Sequence, residues 1–318
     1  MKTIEWGFLI VNYLFLGGLS AGLFFVSALA TFSYKRDEPS PYTRIARLGA
    51  FLAPWPVMIG CGLLIFDLGR WYRFYKLFLH LRIVSPMSIG SWLLVLFNLV
   101  ALLNCYAWFT EKQRGNLFAK LPRALAFLSN FNYDVDHWRR RLAIIGLPIS
   151  VGVGIYTGVL LGAVQSRPFW NTNLVAQLFL FSALSTGCAT LILGLARSGE
   201  SKQELRLLYG LDICFMVLEL FIVLPYIIHG ELSVQAVQDS LTLILGGPFT
   251  VLFWIFFLGL GLLVPLLVEI RELVPVLVSN HEFPYRRRLA SGTAILILGG
   301  GFLLRYIFVF AGQMSVFK

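Results

Sequence analysis

Hydrophobic residues fall along this chain in eight long runs, at about 8–33, 48–68, 87–109, 142–164, 174–197, 207–229, 249–268 and 290–311. Each is near the ~20 residues a helix needs to cross ~30 Å of hydrocarbon. The runs are apolar nearly all round, whereas a helix on a soluble core carries a polar face. Strands of a membrane barrel would be shorter and would alternate. The pattern predicts an all-α integral membrane protein with eight transmembrane helices, one polytopic membrane domain over residues 1–318. Arg167-Pro168-Phe169-Trp170 before the fifth run is faintly echoed by Gly247-Pro248-Phe249 before the seventh, which would suit two four-helix bundles.

Composition points the same way. Hydrophobic residues make up 58% of the chain and charged ones 13%, where a water-soluble domain has roughly 25% charged. Lys and Arg outnumber acids by 26 to 16. In this class the excess sets orientation, so membrane lipid is the expected partner and nucleic acid is not. The first, third, fifth and seventh loops carry 4, 7, 3 and 4 Lys and Arg, the rest of the chain only 8. By the positive-inside rule the odd loops are cytoplasmic and both termini face outward. The first run is full length and lacks a basic leader or an A-x-A site, so no cleaved signal peptide is expected.

One loop breaks the charge pattern. From Asp67 to Trp92 the chain reads DLGRWYRFYKLFLHLRIVSPMSIGSW. An acid and a base stand three residues apart (Asp67, Arg70), a basic aromatic stretch follows with Arg73, Lys76 and Arg82, and a Ser-Pro-Met-Ser turn opens the third run. Snorkelling accounts for some of these charges; a docking surface for an acidic partner at the outer face accounts for more.

Polar residues inside the membrane are costly and therefore informative. At ~1.5 Å per residue, Tyr156 and Arg305 lie roughly 21 and 22 Å from the cytoplasmic starts of their runs, in the outer half. Asn12 is about one turn in from the outer end of the first run, and Ser85 and Ser88 open the third. Glu219, roughly 18 Å in, is near the midplane. Each has a plainer reading. Asp67 and Arg70 suit an interfacial ion pair, Tyr156 an aromatic belt, Asn12 a helix–helix hydrogen bond, and Arg305 a counter-charge for Glu219. A midplane carboxyl is hardest to explain structurally, and proton handling is expected of Glu219. Gly17, Gly18, Ser20, Ala21 and Gly22 read as close helix packing rather than a phosphate loop.

The four cysteines (Cys61, Cys105, Cys188, Cys214) stand singly in apolar runs with no C-x-x-C, so neither an iron–sulfur cluster nor structural zinc is encoded. Of the histidines, His80, His137 and His281 fall in loops and His229 ends the sixth run, which disfavours a haem b held across the bundle. A redox role would then require electrons to leave to a partner.

Together the motifs carry a resemblance. Tyr13-Leu14-Phe15-Leu16-Gly17-Gly18-Leu19-Ser20-Ala21-Gly22 resembles the first-helix signature of the polysulfide reductase membrane-subunit (NrfD-like) family. Asp67-Leu68-Gly69-Arg70 with Ser85-Pro86-Met87-Ser88-Ile89-Gly90-Ser91-Trp92 resembles its second loop. Tyr156-Thr157-Gly158, Pro168-Phe169-Trp170, Ser182-Ala183-Leu184, Glu219, Leu304-Arg305-Tyr306 and Ala311-Gly312-Gln313-Met314 follow in the expected order, with an ending most like the nitrite-reduction NrfD branch.

The resemblance implies a haem-free, eight-helix quinone-binding subunit in a bacterial inner membrane, with both termini periplasmic and menaquinone the expected quinone. Its implied partners are a ferredoxin-like iron–sulfur subunit on the outer face and, beyond it, a molybdopterin or multihaem cytochrome catalytic subunit. The family's pocket maps onto Asn12, Asp67, Arg70 and Tyr156. Some members place a histidine on the first helix, and this one has none. The expectation is then quinol oxidation with Asp67 accepting the proton, Arg70 holding its charge state, Tyr156 bonding the head group, Ser88 and Arg305 nearby, and Glu219 handling protons. The alternatives are an ion or small-molecule transporter, for which Glu219 and Arg305 would line a path, and a passive anchor without quinone.

Overall fold

The computed structural model describes residues 6–33, 40–67, 85–110, 135–196, 202–278 and 286–315. These form α1 (Phe8–Phe32), α2 (Pro41–Leu52), α3 (Pro54–Asp67), α4 (Pro86–Ala107), α5 (Val135–Gly162), α6 (Leu174–Ala196), α7 (Lys202–Glu231), α8 (Gln235–Leu245), α9 (Leu252–Leu263), α10 (Val264–Val278) and α11 (Arg287–Met314). No strand occurs among the described residues. Eight helical spans are long and apolar enough to cross a membrane, with α2–α3 and α9–α10 each forming one of them.

Local chemistry explains both composite spans. Pro54 has no N–H to donate and its ring crowds the carbonyl one turn back, so α2 ends at Leu52 and α3 restarts at Pro54. Along α9 the turns are wide: the Val264 N–H reaches back five residues to the Gly259 carbonyl, the π pattern. The span then returns to α-helix and runs on to Val278, well past the 268 at which the apolar run fades.

Helix α1 packs against α2, α3, α5, α6 and α11. Its small residues make that possible. A Cβ on Gly22 would lie 2.8 Å from the Ala183 carbonyl carbon and 3.1 Å from Gly187 Cα, so α1 and α6 cross backbone to backbone. Ser20 Oγ donates to the Ala53 carbonyl and Ser27 Oγ to the Ala46 carbonyl at 2.7 Å, tying α1 to the second span.

The two chain ends share one face. Gln313 clasps residue 6 in both directions: the Trp6 N–H donates to its Oε1 at 2.7 Å and its Nε2 donates to the Trp6 carbonyl at 3.0 Å. Trp6 stacks on Trp170 at 5.2 Å, whose Nε1 donates to the Phe308 carbonyl at 2.7 Å. The Pro-Phe-Trp and Gly-Gln-Met motifs therefore close this terminal face. The opposite, basic face is pinned by Arg139, which meets Asp136 at 2.9 Å, donates to the Ala107 carbonyl at 3.0 Å and lies 4.2 Å over Trp108.

Candidate functional site

Just under the terminal face, three helices bring polar side chains to one depth. Tyr13 of α1 is 1% exposed, and its hydroxyl has no hydrogen-bond partner among the described residues. Its electrostatic neighbours are Tyr156 of α5 and Cys61 of α3, and Cys61 also lies beside Asn98 of α4. Tyr13 is five residues from the start of α1, while Cys61 and Tyr156 are six from the ends of α3 and α5. All three sit about 7–9 Å below the face at the helical rise. Glycines make the room: a Cβ on Gly60 would touch the Tyr13 ring at 3.5 Å, and one on Gly90 would overlap the phenol of Tyr156.

Around this cluster, Ser88 is buried on the first turn of α4. Asp67, the last residue of α3, is exposed, and its Oδ1 lies 3.9 Å from where a Cβ on Gly7 would stand, against the start of α1. Asn12 is half-buried, and its Nδ2 donates to the Phe8 carbonyl at 2.8 Å along its own helix. Arg70, with Arg73, Lys76 and Arg82, lies outside the described residues.

Equal depth would put Arg305 beside Tyr156, but its contacts run the other way around α1. Tyr13 and Gly17 face α3 and α5, whereas Gly18 and Phe15 face Arg305. Arg305 is 0% exposed. Its Nη1 donates to Ser182 Oγ at 3.0 Å and to the Gly301 carbonyl at 2.6 Å, its Nη2 to the Phe179 carbonyl at 3.3 Å. The guanidinium also lies 5.3 Å from the Phe179 ring. Gly18 clears its path, since a Cβ there would stand 2.9 Å from Nη2. Glu219 is its electrostatic partner, and Ser182, which accepts from Arg305, also lies beside Glu219. Arg305 thus belongs with Glu219, as a counter-charge.

Glu219 is not the lone carboxyl that its apolar surroundings in the sequence suggest. Asp212, Glu269 and Glu272 are also buried. Asp212 is seven residues before Glu219, two turns away on the same face of α7, and that spacing is the signal for it. Glu269 and Glu272 fall beyond residue 268 and read as loop by hydropathy; α10 carries both inside the bundle. Tyr13 is legible only as part of a motif, since a tyrosine near a helix end usually belongs to an interfacial belt. Its burial sets it apart.

Residues 1–317 match the family described as "Polysulphide reductase, NrfD". The sequence is 32% identical to the C polypeptide of the polysulfide reductase of Wolinella succinogenes, over 99% of this protein and 96% of that one. It is 30% identical to protein NrfD of Escherichia coli K12, over 99% and 97%. The C component of the selenate reductase of Mesobacillus selenatarsenatis is 30% identical over 83% of this protein and 66% of its own length.

Proposed function

Because the chain belongs to the polysulphide reductase NrfD family, we propose that it is the quinone-reactive membrane subunit of a respiratory oxidoreductase in a bacterial inner membrane. In this reading it exchanges electrons between the quinone pool, menaquinone in the first instance, and a ferredoxin-like iron–sulfur subunit docked on the terminal face. That face is periplasmic by the charge of the loops. A molybdopterin or multihaem cytochrome subunit lies beyond the iron–sulfur partner. Relatives named as parts of a polysulfide reductase and a selenate reductase support a place in such an assembly.

Tyr13 carries the reading. Leaving a buried hydroxyl unpaired costs about 1–3 kcal/mol, and a quinone oxygen beside it would remove that cost. Tyr156 offers a second phenol at the same depth. When bound, quinol supplies two electrons and two protons. Tyr13 and Tyr156 hold the head-group oxygens, with Asn12 and Ser88 at the rim. Asp67, already in contact with solvent, accepts the two released protons one after the other and passes each outward, and Arg70 holds its charge state. Glu219, with Arg305 as its counter-charge, handles protons nearer the midplane and does not touch the quinone.

A photoreactive quinone analogue tests this on the purified complex. Cross-links to the peptides bearing Tyr13 and Tyr156, displaced by excess menaquinone, are the expected result. Labelling confined to the lipid-facing residues of α4 would sink the assignment.

A further inference from the structure

Towards the basic face, besides Glu204, which pairs with Arg44 at 3.6 Å, the bundle buries three carboxyl groups for which quinone chemistry has no use. Glu269 and Glu272 lie one turn apart on α10, and Asp212 lies across from them on α7. They form a file with Glu219. Glu269 has Glu272 and Asp212 as electrostatic neighbours, and Asp212 has Glu219. Cys188 of α6 packs beside Asp212 and Glu269. At the basic end Glu272 faces Arg286 and lies beside Tyr209, with Thr293 of α11 close to the same tyrosine.

Two observations separate this file from an ordinary acidic cluster. The first is that Glu269 is 0% exposed and, among the described residues, neither of its carboxyl oxygens has a hydrogen-bond partner; Asp212 Oδ2 has none there either. An ionised carboxylate left unpaired inside a membrane protein is very costly, so the file is built to hold protons. The second is a pair of hydroxyls. Ser185 Oγ donates to Asp212 Oδ1 at 2.6 Å, and one turn away on α6 Ser182 lies beside Glu219. They lie on the side of α6 that faces Asp212 and Glu219, which are ~10 Å apart along α7. A hydroxyl can accept a proton on a lone pair while releasing its own.

We propose that Glu272, Glu269, Asp212, Ser185, Ser182 and Glu219 form a proton-conducting half-path, open to the cytoplasmic face and closed outward by the fixed charge of Arg305. Each step breaks one O–H bond and forms another on the next oxygen, with no change of oxidation state. Arg305 cannot give up its proton, and a buried arginine is an electrostatic barrier to protons. The half-path stops at the contact between Arg305 and Ser182. This rests on the reading of Glu219 as a proton-handling group, and it extends that reading by supplying the side from which protons arrive.

A hydrophobic carbodiimide, which forms adducts with protonated carboxyls in apolar surroundings, is the probe. Added to the purified wild-type complex, it should modify the peptide bearing Glu269, with a yield that falls as pH rises and is indifferent to sodium. Glu269→Gln should lose that adduct and keep its quinone content. Absence of any adduct at Glu269 and Asp212 would overturn the proposal. So would protection by sodium chloride at fixed pH, which would assign a metal-cation site instead. In liposomes clamped with potassium and valinomycin, Arg305→Gln should admit protons to an internal pH dye, and adding Glu269→Gln should stop the influx. Equal influx through both variants contradicts the path. Labelled protein devoid of quinone would defeat the quinone assignment alone, and quinone-loaded protein without label would defeat the path alone.

Discussion

The phenol of Tyr156 occupies the space that a side chain on Gly90 would need. That contact lets the third span approach the fourth closely at the level of Tyr156, at the depth of Tyr13.

Gly90→Ala is the least change that disturbs it. Overpacking of this kind costs about 1–3 kcal/mol, and the ring must swing away from Tyr13. The expected result is a protein that assembles with a modestly lower unfolding temperature in detergent, while quinol-dependent electron transfer falls by more than its stability would suggest. Full activity at reduced stability would mean that the position of Tyr156 is immaterial.

Gly187→Val attacks the scaffold instead. Here the new side chain meets the backbone of Gly22, which cannot rotate out of the way. Destabilisation should reach the upper end of the overpacking range, about 3 kcal/mol or more. Thermal unfolding of the purified protein checks this, and a wild-type transition would show that α1 and α6 do not cross as described.

How much of this is legible in the sequence differs from residue to residue. The eight spans stand out because lipid-facing helices cannot hide their apolar runs. Depth is legible too: counting residues puts Tyr156 and Arg305 in one half of the membrane. Azimuth is not, because an apolar helix gives little sign of which side faces which neighbour. So depth alone groups Arg305 with Tyr156, although α1 divides them. Glu269 and Glu272 escape for a different reason. Hydropathy ends a span where charge begins, but the helical hydrogen bonds continue and tuck one face of the charged turn inside.

Glu219→Gln separates proton handling from structure. Arg305 would retain Ser182 Oγ and the Gly301 and Phe179 carbonyls as acceptors, so the fold should survive. Quinol oxidation should continue, at least slowly, with loss of any charge movement across the membrane in proteoliposomes. Removing the cation is the harsher change: Arg305→Met strands Glu219, and breaking a buried pair in this way typically costs about 3–5 kcal/mol. A Glu219→Gln protein that is stable, active and unchanged in membrane-potential measurements would dismiss the residue altogether.

Asp67→Asn keeps shape and hydrogen-bonding capacity at the rim but removes proton acceptance. The complex should assemble with its iron–sulfur partner and retain quinone, yet quinol-dependent electron transfer should be abolished. Wild-type turnover by this variant would transfer the proton-accepting role to another group.

The central claim is that Tyr13 and Tyr156 hold a quinone beneath the terminal face, and the amount of quinone that co-purifies with the protein tests it most directly. Solvent extraction of the wild-type protein, washed free of bulk lipid, should yield quinone in a fixed proportion near one per protein molecule. The Tyr13→Phe, Tyr156→Phe double variant, folded and assembled, should yield far less. Wild-type protein without quinone, or a double variant that retains it in full, would contradict the account.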